Sequence, residues 1–463
     1  MGLLENILKN IGYTDLLSLL IDIDRFVWGP PLLILLIGTG FYLTFSLGLI
    51  QVFKLPLALR YVIRSDCNEC DTQGDISSFA ALCTALAATI GTGNIVGVAT
   101  AIKVGGPGAL FWMWVAAFFG MATKYAESML AVKYRKVDDR GQMSGGPMYY
   151  ISRGLSHKFY SGFLAKFFAL AGIGVAFFGI GTFTQINAIV DSVNITFGLP
   201  PIYPAIIITT LVALVTIGGI KSISRVALFV VPFMAIAYVL GCLIIIFLNI
   251  QNLPAAMSLI IRSAFTPTAA AGGFLGSTML LAIQLGVARG VFSNESGLGS
   301  APIAAAAARV KEPARQGLIS MTGTFFDTII VCTMTGTVLI LTGSWTSDFS
   351  GAFMTGYAFS TALADTGSYI VGVGLIFFAF TTILGWNYYG ERCTEFLFGV
   401  RGIMPYKIIY IALVASGAFL TLEMIWTLAD IVNALMVIPN LIALIGLRKV
   451  IIDETKKYFE DLE

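Results

Sequence analysis

The sequence predicts an all-α integral membrane protein with about eleven transmembrane helices. Apolar residues make up 57% of the chain and charged ones only 12%, whereas a surface facing water carries roughly a quarter to a third Lys, Arg, Glu and Asp. Eleven apolar stretches approach the length that spans a bilayer, roughly twenty residues for about 30 Å of hydrocarbon. Lysines and arginines gather in alternate connections between those stretches, the bias that orients membrane helices. A soluble domain is excluded. With a net charge of +2 and no basic face, nucleic acid is not an expected partner.

The first residues, MGLLENILKNIGYTDLLSLLIDIDRF, carry acids throughout and lack a basic segment before a small-residue cleavage site, so they do not read as a signal peptide. Asn6 does not fit a myristoylation motif. Leu3, Leu4, Ile7, Leu8 and Ile11 recur at helical spacing, which predicts a helix lying in the membrane interface. The spans follow near 28–50, 76–104, 108–133, 164–193, 201–219, 224–249, 270–297, 317–343, 368–396, 404–421 and 424–447. With the N-terminus outside, cytoplasmic connections receive most of the basic residues, among them Arg60, Arg64, Arg135, Arg140, Lys221, Arg225, Arg309 and Arg401, and the outer side keeps Lys9, Arg25, Lys103 and Arg262. The C-terminus is then cytoplasmic. Cys67 and Cys70 form a CxxC pair with no second pair or nearby histidine, so ordinary reduced thiols in a cytoplasmic loop are expected there.

One helix plus ten leaves two sets of five, which must run in opposite senses because five is odd. The expected organisation is residues 1–75 (interfacial helix, first span and loop), 76–249 and 250–447 (two inverted five-helix units) and 448–463 (cytoplasmic tail). Inverted-repeat transporters bind at the midplane, where the first helix of each unit is broken. The first reads TALAATIGTGNIVGVATA, with Gly91, Thr92, Gly93 and Asn94 at its middle; the second reads LLAIQLGVARGVFSNESGLGS, with Gln284, Leu285, Gly286 and Gly290 at its middle. A break within the bilayer is stable only where protein, water, ion or substrate satisfies the freed backbone. Gly93 and Gly97 also form a GxxxG, the pattern of close helix packing, and the glycines alone do not separate the two readings. The polar Thr-Gly-Asn and Gln-Leu-Gly cores favour breaks. The spacing GxGxxxG, within a membrane and after no strand, is no dinucleotide fingerprint.

Residues 74–114, GDISSFAALCTALAATIGTGNIVGVATAIKVGGPGALFWMW, and 286–302, GVARGVFSNESGLGSAP, resemble the alanine or glycine:cation symporter family, and features of that family run over nearly the whole chain. The resemblance implies an architecture similar to that of the bacterial leucine transporter, five plus five inverted helices. It also implies a secondary symporter of the cell membrane, taking up alanine or glycine with sodium, or in some members protons, by alternating access. The implied partners are a small amino acid, sodium as coupling ion and the lipid bilayer, with no further cofactor.

An amino acid brings a carboxylate and an ammonium, both needing partners once dry. Backbone N–H groups at the start of a half-helix suit the carboxylate, which assigns it to Gly91, Thr92, Gly93 and Asn94. Carbonyls of Leu281, Ala282 and Ile283, with Thr89 opposite and the Gln284 side chain, are assigned the ammonium. In GVAFFGIGTFTQINAIV, Phe183 and Gln185 stand near the expected midplane, and Gln185 either faces the ligand or bonds between helices. Ile283, Val287 and Trp386 are candidates to close a small pocket. In leucine-transporter-like folds one sodium site joins carbonyls of the first broken helix to paired hydroxyls on the eighth. The resemblance places that site here at Ala87, Ile90, Phe378, Thr381 and Thr382.

Ionisable residues within spans are functional candidates. Lys124 and Glu127 have the spacing of a local pair, Arg289 and Glu295 suit a gate or structural pair, and Glu391 and Arg392 fall near the cytoplasmic end. Asp327 lacks an obvious local partner and is a candidate for cation or proton binding. The sole histidine, His157, falls in a loop, which favours sodium over a histidine proton relay. An ion channel lacks support because no filter sequence appears, and no HExxH, GxSxG or paired intramembrane aspartates point to an enzyme. An uncoupled exchanger is the rival that the residues scarcely separate from a symporter.

Overall fold

The computed structural model describes residues 16–64, 73–266, 279–418 and 422–462. The expected interfacial helix around Leu3 to Ile11, the Cys67–Cys70 pair, and parts of the spans expected at 270–297 and 404–421 lie outside the described residues.

The chain enters through α1 (Leu16–Val27) and α2 (Pro30–Ser46), with Pro30 and Pro31 opening the second helix where a missing N–H costs nothing. Short helices α3 (Ile50–Phe53) and α4 (Leu55–Ile63) follow. Ser77 caps α5 (Ser78–Thr89) by accepting from Ala80 N at 3.2 Å. The chain then bends by 53° into α6 (Gly93–Gly105). After α7 (Gly108–Lys133) a two-stranded antiparallel hairpin, β1 (Lys136–Val137) and β2 (Met143–Ser144), leads to α8 (Pro147–Gly154).

The span expected at 164–193 is two helices, α9 (Lys158–Phe178) and α10 (Phe183–Phe197). The chain unwinds between them because Thr182 Oγ1 donates back to the carbonyls of Ala176 and Phe177, and Tyr410 Oη holds the carbonyl of Gly181 at 2.8 Å. There follow α11 (Ile202–Ile217), α12 (Gly219–Leu248) with Pro232 inside it, and α13 (Leu253–Phe265). The second half holds α14 (Met279–Asn294), the short α15 (Ala301–Ala305), and α16 (Pro313–Leu341), whose middle, Phe325–Cys332, is wound as a π-helix. Then come α17 (Gly351–Leu363), α18 (Asp365–Phe398), α19 (Ile403–Gly417), α20 (Leu422–Gly446) and α21 (Arg448–Glu460).

The fold is all-α and membrane-embedded. Among the described residues six helical stretches are long and apolar enough to cross a bilayer, α1–α2 and α9–α10 each counted as one, and the bent pair α5–α6 makes a seventh; α11 and α14 are apolar but shorter. α12 exposes Phe229, Phe233, Ile236, Leu240 and Phe247 along its length, a surface that suits hydrocarbon and not water. α7 is the opposite case, with Met113, Ala117, Met121, Tyr125 and Met129 all buried beneath α14 and α16. At the basic end of the bundle, the lead into α5 and the exit from α15 are tied as a parallel bridge between Ile76 and Ala308, with Arg309 N donating to Ile76 O at 2.7 Å. Arg135 clamps that tie by donating to the carbonyls of Ala306, Ala308 and Val310.

Candidate transport site

The break between α5 and α6 follows from where its N–H groups go. In a continuous helix Gly91 and Thr92 would donate to the carbonyls of Ala87 and Ala88. Here Gly91 N donates to Asn94 Oδ1 at 2.9 Å and Thr92 N to Gln185 Oε1 at 3.3 Å. Those carbonyls therefore lose their intrahelical donors. Gln185 is fixed by donating through Nε2 to Thr92 Oγ1 and to the carbonyl of Ile180, each at 3.0 Å, the latter presented by the unwound stretch between α9 and α10. A methyl on Gly91 would collide with Thr382 Oγ1 and lie 3.2 Å from Gln185 Oε1, so only glycine lets these groups converge. Thr89 Oγ1 back-bonds to Leu86 O at 3.4 Å. Asn94 Nδ2 reaches Asp327 Oδ1 at 2.7 Å.

The second break lies later than the sequence suggested. α14 continues through Gln284, Leu285, Gly286 and Gly290, and the chain leaves helical geometry only after Asn294. Glu295, Gly297 and Gly299 then take φ of 56°, 92° and 82°, which ends the helix. Gly286 and Gly290 serve packing instead: a methyl on Gly286 would meet Trp112 Cβ at 2.7 Å, and one on Gly290 would meet Met113 Cα at 3.5 Å. Leu281, Ala282 and Ile283 therefore sit inside a continuous helix, which engages their carbonyls. Ile283, Gln284 and Val287 stand two to three turns before Asn294, about 10–16 Å away at 1.5 Å per residue. Ala282 faces Gly105 at the far end of α6, whereas Ser293 faces Gly93. Phe183 also lies away from the breaks, against Phe178 with ring centroids 5.9 Å apart and against Gly417.

Trp386 is brought to the second break, donating through Nε1 to Glu295 Oε1 at 2.9 Å, and Ser300 Oγ donates to Glu295 Oε2 at 2.5 Å. Lys124 and Glu127 do not pair locally as their spacing suggested. Lys124 Nζ donates to the carbonyl of Asn294 at 2.7 Å, and Glu127 Oε1 accepts from Gly297 N at 3.0 Å and Asn440 Nδ2 at 2.5 Å. Asp327 is not without partners: it accepts from Asn94, from Ser293 Oγ at 2.8 Å and from Thr328 Oγ1 at 2.7 Å, so its carboxylate links the two broken helices.

Thr382 Oγ1 lies 3.4 Å from the carbonyl of Ile90 and 3.0 Å from that of Phe378. Thr381 Oγ1 is turned to the carbonyls of Phe377 and Phe378 and towards Met234 Sδ at 3.8 Å. Ile90, Phe378 and Thr382 thus meet at the first break, Ala87 stands three residues before Ile90 on α5, and Thr381 faces α12.

Ion pairs lie toward both ends. Arg289 pairs bidentately with Asp430 on α20, at 2.9 and 2.7 Å, beneath the rings of Phe292 and Trp426, and not with Glu295. At the basic end Arg392 holds Asp138 of the hairpin at 3.1 Å and Glu391 at 2.8 Å, and Lys407 reaches Glu391 at 3.0 Å. Burial alone would raise the Asp138 carboxyl, but N–H donors of Gln142 and Arg140 together with Arg392 outweigh it and hold it below the usual carboxylate range. Ser293, Asn294, Thr328, Asn440 and Asp430 were not singled out from the sequence. Only the first two had a visible signal, in the polar run before Gly297.

Two apolar helices that break at buried polar residues, with ion pairs toward either end, define a membrane transporter. The chain belongs to the sodium:alanine symporter family, whose model matches residues 14–463. It is 63% identical over 448 residues to an uncharacterized transporter of Haemophilus influenzae, covering 96% of this chain and 97% of that one. It is 50% identical over 450 residues to the sodium/alanine symporter AgcS of Methanococcus maripaludis, covering 96% and 98%. Among solved structures, a mutant manganese transporter of Eremococcus coleocola aligns with a TM-score of 0.48 at 12% identity, covering 81% of this chain and 80% of that one. The protein is a sodium-coupled amino-acid symporter and not an enzyme.

Proposed function

We propose that the protein takes up alanine or glycine with sodium by alternating access across the cell membrane, with its N-terminus outside and its C-terminus in the cytoplasm. The two moving units are residues 76–249 and 250–447. The observation that carries this reading is the first break, where Gly91 and Thr92 N–H are met by Asn94 and Gln185 and a methyl on Gly91 has no room. A substrate carboxylate takes those N–H groups by displacing the two side-chain oxygens, which turns binding at Gly91, Thr92, Gly93 and Asn94 into a rearrangement of α6. Gln185 and Trp386 bound the pocket, and Thr89 lies on the substrate side of α5. Ile283, Gln284 and Val287 line the outer approach, and Phe183 supports α10 from behind.

Sodium binds between the carbonyls of Ala87, Ile90 and Phe378 and the hydroxyls of Thr381 and Thr382, joining α5 to α18. Thr381 enters that set by a change of rotamer. Because sodium and substrate meet the same break from opposite sides, each raises the affinity of the other. Asp327 favours a second reading, proton coupling, since its carboxylate spans both broken helices.

Radiolabelled alanine uptake into liposomes under an inward sodium gradient, with a matched proton gradient, tests the reading. Sodium-driven uptake that collapses in Thr382→Ala supports it. Uptake driven by protons alone moves the coupling to Asp327, and no alanine or glycine uptake under either gradient sinks the substrate assignment.

A further inference from the structure

Lys124 and Glu127 stand one turn apart on α7, yet each grips the second break by a group of opposite polarity. The carbonyl that Lys124 holds belongs to Asn294, the last residue of α14. No further helical N–H reaches that carbonyl, and the helix dipole is negative there. Glu127 takes the N–H of Gly297 on the far side of the break. Lys124 is 2% exposed, and Glu127, Glu295 and Asp327, all within electrostatic reach of its ammonium, are 0% exposed.

The first break offers the same kind of position. There too the chain brings the C-terminal end of a half-helix, α5, to buried carbonyls released from helical bonding. Carbonyls at such ends are where coupling ions bind in transporters with broken helices. At the first break the groups around them, Thr382, Gln185 and Asn94, are neutral, whereas at the second an ammonium of the chain itself is already in place.

We propose that Lys124 is a tethered cation: its ammonium permanently occupies the position at the second break that a coupling ion would otherwise take, so that a single sodium, bound at the first break, accompanies each amino acid. Lys124 is then a positioning residue that sets the ion count, and Glu127 is its counterpart on the N–H side. Asp327, which accepts from Asn94 of the first broken helix and from Ser293 of the second, stands between the two breaks. With the Asn294 carbonyl held by Lys124, the mobile ion is left the first break.

The inference rests on the sodium position proposed at Ile90 and Thr382, which Thr382→Ala tests separately by loss of sodium dependence. The experiment for Lys124 uses the full-length protein in liposomes. It measures the slope of alanine uptake against sodium and the alanine gradient that just balances a fixed sodium gradient. The unaltered chain is expected to move one sodium per alanine. Lys124→Met frees the Asn294 carbonyl for a second sodium, so the slope steepens toward two while maximal uptake falls about tenfold. Lys124→Arg keeps the charge and the single-ion slope. An unchanged slope in Lys124→Met overturns the proposal. Should that variant fail to assemble in the membrane, two sodium ions per alanine at the balance point of the unaltered chain, or of Lys124→Arg, overturns it equally.

Discussion

The two helix breaks use different chemistry for the same geometric problem. At the first, the freed N–H groups of Gly91 and Thr92 are taken by the amide side chains of Asn94 and Gln185, and the facing hydroxyl is Thr382. At the second, the freed groups of Asn294 and Gly297 are taken by Lys124 and Glu127, and Glu295 is anchored by Trp386 and Ser300. Neutral partners are exchangeable, because a carboxylate or a cation entering from solution outcompetes them at modest cost. Charged partners buried with their counter-groups are not, since displacing one strands the other in a dry site. On the proposed reading, the difference makes the first break the exchangeable one and the second a fixed support.

The largest expected effect bears on that contrast directly. Thr382→Ala should lower sodium-driven alanine uptake by up to roughly a hundredfold by removing the hydroxyl opposite Ile90, one charge-assisted contact of about 1.5–3 kcal/mol, and Thr382→Ser should restore most of it. Uptake in liposomes at several sodium concentrations reads both. If Thr382→Ala instead left the sodium dependence intact, the exchangeable ion would not belong at the first break.

Next comes Gly91→Ala. The added methyl collides with Thr382 Oγ1 and presses on Gln185 Oε1, and overpacking of this kind costs about 1–3 kcal/mol, so transport should fall roughly tenfold or more with the protein still folded. Gly286→Ala makes the useful control, because its methyl strikes Trp112 Cβ and the backbone of Ala109 away from either break; that variant should lose thermal stability in detergent before it loses sodium dependence.

Gln185→Ala removes an acceptor from Thr92 N and a donor to Thr92 Oγ1 and Ile180 O. Because a substrate carboxylate displaces that acceptor from Thr92 N, losing about 1–2 kcal/mol of competing hydrogen bonding should lower the alanine KM by up to roughly tenfold and leave the sodium slope alone. A change in slope without a change in KM would mean that Gln185 belongs to the ion and not to the amino acid.

A smaller effect is expected at the hairpin. The Asp138 carboxyl is held below its ordinary range, so docking of β1–β2 gains stability at pH values above the unfolded carboxylate pKa and loses it as the pH falls through the depressed one. Asp138→Asn should weaken docking by about 2 kcal/mol at neutral pH and match the unaltered protein once the medium is acidic enough to protonate Asp138. Trypsin cleavage at Lys136 and Arg140 against pH measures it. The least effect is expected from Ile283→Ala, two to three turns from the second break, with substrate preference altered by no more than about twofold; a clear widening to larger amino acids would bring α14 back to the pocket wall.

Some of this was legible in the residues. TIGTGN announces a break because glycines and a polar pair interrupt an otherwise apolar helix, and the chain does break there, between Thr89 and Gly93. The second break was misplaced because Gly286 and Gly290 look alike in sequence whether a glycine ends a helix or admits a neighbour, and only the approach of Trp112 and Met113 decides it. Lys124 and Glu127 at pairing distance along one helix gave no hint that Asn294 and Gly297 would claim them.

Composition, hydropathic length and charge asymmetry by themselves determined that this chain is a bundle of membrane helices, since the bilayer imposes those features on any sequence that crosses it. The motifs around Gly91 and Gly297 placed it among symporters. Only the tertiary structure decided which break is held by neutral groups and which by charges. Arg289 meets Asp430 and Glu127 meets Asn440 across long stretches of chain, and such partners are chosen by how helices pack and not by the local spacing that a sequence displays.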